Sequence, residues 1–453
     1  MITRKHKLLK LSLAISACFS LNCPAADGDL LGHDALFGDD IKPVVTSPSG
    51  SSGGVKGFLQ FEGARTMSSP DHWSKLRTRA DLNSNGKLGE GLKWKLGVRL
   101  DYDFVYGLND FYNSTVEQNQ RFDVALRENY LDYSAGNWDF RFGRQHVVWG
   151  EMVGLFFADV VSARDQREFI LPEFDQMRTP QWAARAEYFV DDTHAELLWI
   201  PVATYDNIGK PGAEYFPYQP LPPGANVQYL AEQRPDRNAN HMNYGARLST
   251  LKNGWDVSGF YYRSSDTNPT FYREIVLGPT PTYIYQARHD RIHQFGGTLA
   301  KDFGDVVLKA ETVYTRDRQF AVLNMTDPDG LVKQNTLDWA VGLDFTLPAE
   351  SRLNVQFFQR QHFDHNPEII SDRLENGYSL FASTKLTNKW EAQALLISSL
   401  NRSDWLFRPR VTWNLQRNWR LLVGADVFNG PPLGLFGRFD QHDRVYSEIR
   451  YSF

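Results

Sequence analysis

Cysteine is nearly absent from this chain: of 453 residues only Cys18 and Cys23 carry a thiol, and both fall in the first 25 positions. Beyond that segment no disulfide can staple the fold and no thiolate can bind a metal. Long apolar runs are missing as well, for no stretch reaches the ~18 consecutive apolar residues of a spanning helix. Nor is there an excess of positive charge. The chain holds 49 Lys+Arg and 54 Asp+Glu; without the first 25 residues 45 bases face 54 acids, a net of −9. That balance argues against nucleic acid as a main partner. Catalytic signatures are absent too: there is no phosphate-binding loop and no H-E-x-x-H. No catalytic residue, cofactor or metal ligand is therefore assigned. His289 and His293 stand four apart on one face of an expected strand, without carboxylate company, and read as solvated histidines. His362 and His365 read the same way.

The N-terminus assigns a compartment. Arg4, Lys5, Lys7 and Lys10 precede an apolar run from Leu11 to Leu21, and Cys23-Pro24-Ala25-Ala26 offers small residues for cleavage. Residues 1–25 read as a secretory signal peptide, too short for an anchor, implying Sec export. A lipidation site at Cys18 fits less well, because the apolar run continues past it. Residues 26–54 are acidic first and then Ser/Gly-rich, a flexible periplasmic lead-in by composition.

What is abundant is alternation. Leu92, Trp94, Leu96, Val98, Leu100 and Tyr102 interleave with Lys93, Lys95, Gly97, Arg99, Asp101 and Asp103, the period-two signature of a strand with two unlike faces. The pattern recurs to the end of the chain and predicts, over 55–453, an antiparallel up-and-down transmembrane β-barrel of about 18 strands, with 16 as the alternative. Such a wall stays polar on average because only every second residue meets lipid. The connections agree: short ones near 135–137, 191–192, 251–254, 302–304, 348–350, 387–388 and 416–418 alternate with long ones near 107–121, 148–179, 204–240, 266–281, 318–333, 365–374 and 430–441. The brief link near 401–403 is the exception. Four short turns are followed by tryptophan (Trp138, Trp255, Trp390, Trp419), placing amphipathic rings at one headgroup level.

The last strand puts Val445, Ser447, Ile449, Tyr451 and Phe453 on one face and Arg444, Tyr446, Glu448, Arg450 and Ser452 on the other. This ending resembles the sorting signal of Gram-negative outer-membrane barrels. The resemblance implies Tyr451 and Phe453 as an assembly signal, the barrel-assembly machinery and outer-membrane lipid as partners, and the cell outer membrane as destination.

Strand parity directs a set of bases inward. Lys75, Arg77, Arg79, Lys93, Lys95 and Arg99 come from the first strands, and Arg408, Arg410, Arg420, Arg444 and Arg450 from the last ones. Closure joins them into one basic pore-lining wall that would draw anions. Loop 148–179 is the candidate constriction. Leu171 and Phe174 are unusually apolar for an exposed loop and point to a fold into the lumen; Arg164 and Asp165 belong to the same segment. Ser162 followed by Asp165 reads as the start of a helical turn.

Leu126-Arg127-Glu128-Asn129-Tyr130-Leu131-Asp132-Tyr133, then Phe140-Arg141-Phe142-Gly143-Arg144-Gln145-His146-Val147-Val148-Trp149-Gly150-Glu151, resembles an uncharacterised family of proteobacterial outer-membrane proteins. Arg164-Asp165, Pro180-Gln181-Trp182 and Phe428-Asn429-Gly430 extend the likeness. The F-G-R-Q element is similar to one in alginate-export porins. Members of the first family often accompany RND-type exporters, which implies a periplasmic exporter component as partner and a small anionic or amphipathic, lipid-like solute. A surface adhesin or lipid-acting barrel without a pore is the alternative.

Overall fold

The computed structural model describes residues 54–108, 110–150, 152 and 157–453. The expected signal peptide and the expected lead-in, up to residue 53, lie outside the described residues. The rest is a closed antiparallel barrel of 18 strands. They are β1 Lys56–Thr66, β2 Trp73–Gly89, β3 Leu92–Asp103, β4 in two pieces (Phe122–Leu126 and Asn129–Ala135), β5 Trp138–Gln145 and β6 Gln181–Val190. Then come β7 Thr193–Val202, β8 Asn243–Lys252, β9 Trp255–Ser265, β10 Arg291–Asp302, β11 Val306–Ala321 and β12 Leu331–Leu347. The last six are β13 Ser351–Phe363, β14 Leu374–Lys385, β15 Trp390–Ser399, β16 Trp405–Gln416, β17 Trp419–Asn429 and β18 Arg444–Ser452. Both pieces of β4 pair with β3, so the break at Arg127 and Glu128 is an irregularity within one strand.

Closure is complete. β18 pairs with β17 on one side and with β1 on the other, from Phe58↔Ser452 to Thr66↔Arg444. Phe453 N donates to the Gly57 carbonyl at 2.9 Å and Gly57 N returns a bond to the Phe453 carbonyl at 3.0 Å. No backbone edge is left for lipid to solvate.

The two faces part as the alternation predicts. Leu59, Phe61, Leu96, Leu100, Val124, Leu131, Phe142, Leu197, Leu248, Val257, Phe295, Val341, Val423 and Ile449 are exposed large apolar groups on the outside. Gln60, Glu62, Arg79, Asp81, Arg99, Asp101 and Asp426, on the alternate positions, are buried inside. Trp138, Trp255, Trp390 and Trp419 are each the first residue of a strand. The Trp255 turn is built by Asn253 (φ 54°) and Gly254 (φ 73°), the positive-φ pair that a two-residue hairpin needs. By the convention that short turns and chain ends face the periplasm, the long loops lie at the outer mouth.

Three local expectations change. The loop expected over 266–281 holds instead a hairpin, Thr270–Val276 with Thr282–Arg288, which Asn226–Tyr229 joins in parallel. Tyr283, Tyr285 and Ala287 alternate as a strand should, but they are buried by the outer loops and not by the barrel wall. The expected loop 318–333 shrinks, because β11 and β12 stay paired up to Ala321↔Leu331 beyond an irregularity between Thr315 and Arg318. Finally, no helical turn starts at Ser162. Its hydroxyl donates to the Val147 carbonyl (3.1 Å) and to Asp159 (3.0 Å), and Ala163–Arg164 forms a two-residue strand. Among the described residues of the loop, the helical turn lies at Phe174–Met177.

Candidate functional site: the loop inside the barrel

The connection from β5 to β6 runs across the interior and touches opposite walls. At its start, Val147, Trp149, Ala158 and Val161 pack with Ala183 on β6, Leu198 and Ile200 on β7, Phe260 and Tyr262 on β9 and Val313 on β11. From β11, Glu311 accepts the backbone N–H groups of Met152 (2.7 Å), Phe157 (2.9 Å) and Ala158 (2.9 Å). A carboxylate shared among three amides fixes the chain there as a helix cap would.

Farther on, the loop meets the basic wall. Glu168 pairs with Lys75, with Arg77 at 2.9 Å and with Arg444 at 3.2 Å. Glu173 lies 3.5 Å from Arg410 and 3.8 Å from both Arg420 and Arg450. The helical turn adds backbone acceptors: Gln176 O takes Arg99 at 2.8 Å, while Arg178 O and Asp175 O take Arg127 at 2.9 and 2.8 Å. Arg408 donates to the Leu171 carbonyl at 2.6 Å. Two small gaps lie between loop and wall, one of about 50 Å³ beside Glu168 and Glu173 and one of about 40 Å³ beside Arg167.

Of the bases read as inward, Lys75, Arg79, Arg99, Arg408, Arg410, Arg444 and Arg450 are buried, and most of the set have a partner. Arg79 grips Asp101 with two bonds of 2.7 Å, and Arg99 reaches Asp81 at 2.9 Å. Arg408 and Arg444 share Asp426 at 2.7 and 2.8 Å. Arg420 and Arg450 flank Glu448 at 3.1 and 3.3 Å. Lys95 pairs with Glu128 near the periplasmic end, and Lys93, one step lower, is exposed.

The four loop residues divide. Leu171 is buried against Phe381, Leu395, Ile397, Leu406 and Phe428 of β14 to β17, so the apolar side chain lines an intramolecular contact. Phe174 lies under the Arg178 guanidinium, 3.8 Å from its ring centre. Asp165 lines the second of the two gaps together with Lys75, Arg77 and Arg79. The Arg164 amide donates to Asp206 at 2.8 Å, and Asp165 bridges to Asn207, so the two residues stitch the loop to segment 203–242.

Sequence reasoning missed two groups. Glu187, His194 and Glu196 bring their donor atoms within 4.8 Å of one another on the inner face of β6 and β7. Glu187 and Glu196 are Cα partners equidistant from the 191–192 turn, a signal that hairpin counting could have found. Arg185 holds one oxygen of Glu187 at 2.5 Å, and the Trp149 indole donates to Glu196 at 3.1 Å, so the arrangement is already occupied by protein cations and donors. His289, expected to be solvated and without a carboxylate neighbour, is instead buried in a loop with its Nε2 2.8 Å from Glu232, while His293 is on β10 beside the Tyr261 hydroxyl.

At the outer mouth, Glu214 gathers His72 Nε2 at 2.6 Å, the Tyr112 hydroxyl at 2.8 Å and His442 at 3.8 Å. Burial works against charge on His72, but hydrogen bonds to Glu214 and the Pro70 carbonyl outweigh it and raise its pKa. Burial likewise opposes the Glu214 charge, and His72 leads the groups that nevertheless hold that carboxyl below its usual range. A raised histidine contributes stability fully below 6.5 that is lost as pH rises through its folded value. Asp206 has the same sign: burial pushes it up to about 6 against the pull of Arg164, so the folded state loses stability as pH rises from the ordinary carboxylate range through that value. The protection factors of amides in segments 67–72 and 211–216, that is, exchange corrected for its intrinsic base catalysis, are therefore expected to fall between pH 6 and 8.5. His72→Gln removes most of that change; a pH-independent wild type would contradict it.

Comparison with known proteins agrees with this architecture. No curated protein matches the sequence. Among solved structures, OccAB4 of Acinetobacter baumannii is similar with a TM-score of 0.50 at 9% identity, over 88% of this chain and 97% of that one. OmpF of Salmonella typhi, solved in complex with daunomycin, gives 0.45 at 12% identity, over 88% and 97%. A loop-deletion mutant of OmpT, an outer membrane protein of Vibrio cholerae, gives 0.41 at 12%, over 88% and 98%. The closed antiparallel barrel is thus a fold that OccAB4 shares. Residues 66–355, more than half of the chain, match the model described as "Protein of unknown function (DUF1302)", and the chain belongs to that family.

Proposed function

We propose that the protein is an outer-membrane channel for a small anionic solute, reached after Sec export and narrowed by loop 148–179. The observation that carries this reading is the loop's attachment to both walls, through Glu311 on one side and through Glu168 and Glu173 on the other. An 18-strand cylinder is wide enough for an aqueous lumen unless something fills it. A loop pinned at both ends restricts that lumen without moving in and out freely. Anions are the favoured class because, even with the two loop carboxylates counted, bases outnumber acids along β1–β3 and β16–β18.

An amphipathic or lipid-like cargo has less support. Its support is the resemblance to a family that often accompanies RND-type exporters, while the loop's apolar Leu171 and Phe174 are spent on contacts within the chain. They offer no apolar track to a solute.

Arg79→Ser with Arg99→Ser tests the charge preference. The double change leaves Asp101 and Asp81 without their arginines. Reversal potentials under a KCl gradient should move toward cations, more so at low salt, where screening extends beyond about 10 Å. A cation-selective wild type, or an unchanged double variant, would refute the anion channel.

A further inference from the structure

The outer surface of the barrel carries a row of basic side chains that the channel does not use. Arg263 on β9, His293 on β10 and Arg316 on β11 lie in one row across three adjacent strands, paired Arg263↔His293 and His293↔Arg316. They point outward, since Tyr262, Ser264, Ile292, Gln294 and Thr315, the alternate positions, are buried. Lys333 on β12, opposite Gln319, continues the exposed row one strand further.

Their height is fixed by the strand. Arg263 stands eight residues above Trp255, the first residue of β9. At about 3.3 Å per residue and a tilt near 45°, that is a climb of roughly 19 Å, near the top of a ~25 Å lipid-facing band. Below and beside the row lies an aromatic ledge. Arg263 donates to the Tyr244 hydroxyl at 2.8 Å, His293 is 2.9 Å from the Tyr261 hydroxyl, and Tyr261 packs on Phe295 at 4.9 Å between centroids.

Counter-charge is scarce there. Among the described residues no carboxylate pairs with Arg263. Arg316, 64% exposed, meets Asp317 only at 3.5 Å, and Asp317 is itself 40% exposed. Arg291, higher on β10, is engaged with Asn243 at 2.9 Å and the Met242 carbonyl at 3.0 Å. Elsewhere on the rim the outward Arg65 is paired with Asp71. A guanidinium at the hydrocarbon edge without a counter-ion is costly, and a phosphate is the counter-ion that this depth of a membrane supplies.

We propose that the row Arg263–His293–Arg316 binds the phosphate groups of an anionic lipid in the outer leaflet. Each arginine fork can take two phosphate oxygens, and the tyrosine ledge takes the apolar and sugar portion beneath. The site is independent of what passes through the lumen and rests only on the barrel's orientation in its membrane.

The test uses the assembled protein extracted in mild detergent. It is titrated with lipid A, dephosphorylated lipid A, phosphatidylethanolamine and inorganic phosphate, and retained lipid is read by native mass spectrometry. Wild type should retain lipid A at least about tenfold more tightly than the dephosphorylated form, and Arg263→Gln with Arg316→Gln should remove that advantage. Arg65→Gln should change nothing. Arg316→Gln alone, at the most exposed position, should weaken retention about threefold or more and covers the case of a poorly assembled double variant. Equal retention by the variants, no discrimination against the dephosphorylated lipid, or displacement by millimolar inorganic phosphate would each overturn the site.

Discussion

Glu168→Gln with Glu173→Gln should make the channel more anion-selective and should loosen the loop, with most of the effect coming from Glu168. The geometry sets the order. Glu168 stands within 3.2 Å of Arg77 and Arg444 and also holds Lys75, whereas Glu173 keeps 3.5–3.8 Å from its three arginines. Breaking a buried ion pair by removing one partner costs roughly 3–5 kcal/mol. Here the cost falls toward the lower end, because Glu62 still faces Lys75 and Arg77, and Asp426 still faces Arg444. Two negative charges then disappear from a passage only a few Debye lengths across, about 8–10 Å each at physiological salt. Reversal potentials report the charge effect, and current noise reports the loop. If Glu168→Gln alone leaves both unchanged, the loop is not held by its carboxylates.

The second large effect concerns the end of the chain. We expect Tyr451→Asp with Phe453→Asp to abolish most assembled barrel, measured as the heat-modifiable band on gels and as surface labelling. Tyr451 packs on Trp419 at 4.9 Å at the periplasmic aromatic level, and Phe453 exchanges two backbone bonds with Gly57 across the closing seam. A charge on the lipid face costs roughly 0–4 kcal/mol by depth, and little near the interface where these residues lie. Loss of assembly far beyond that penalty would mean that the terminal residues are recognised during insertion. Normal assembly would show the ending to be ordinary wall.

Strand number, wall parity and turn positions were legible because each rests on a local rule. Leu92 to Asp103 shows its two faces within twelve residues, and the tryptophans after the turns at 137, 254, 389 and 418 mark one level directly. The same rule misled at 282–288, where alternation is genuine but the burying surface is another loop. The interior loop was legible only in part. Leu171 told that the segment seeks cover, yet nothing local tells that the cover is Phe381, Leu395, Ile397 and Leu406, more than 200 residues away in sequence. Glu168 and Glu173 were missed for the same reason, since a loop carboxylate gains its meaning from Lys75, Arg77 and Arg444 on distant strands. Glu311 passed as one more polar wall residue until three loop amides were seen to converge on it.

The most direct measurement is single-channel conductance in planar bilayers of wild type and of a variant in which residues 165–177 are replaced by a short Gly/Ser link. A loop that narrows a continuous lumen predicts a small steady conductance for wild type and a several-fold larger one for the variant, with both proteins heat-modifiable on gels. Equal conductance in the two, or none in either, would contradict a channel constricted by that loop.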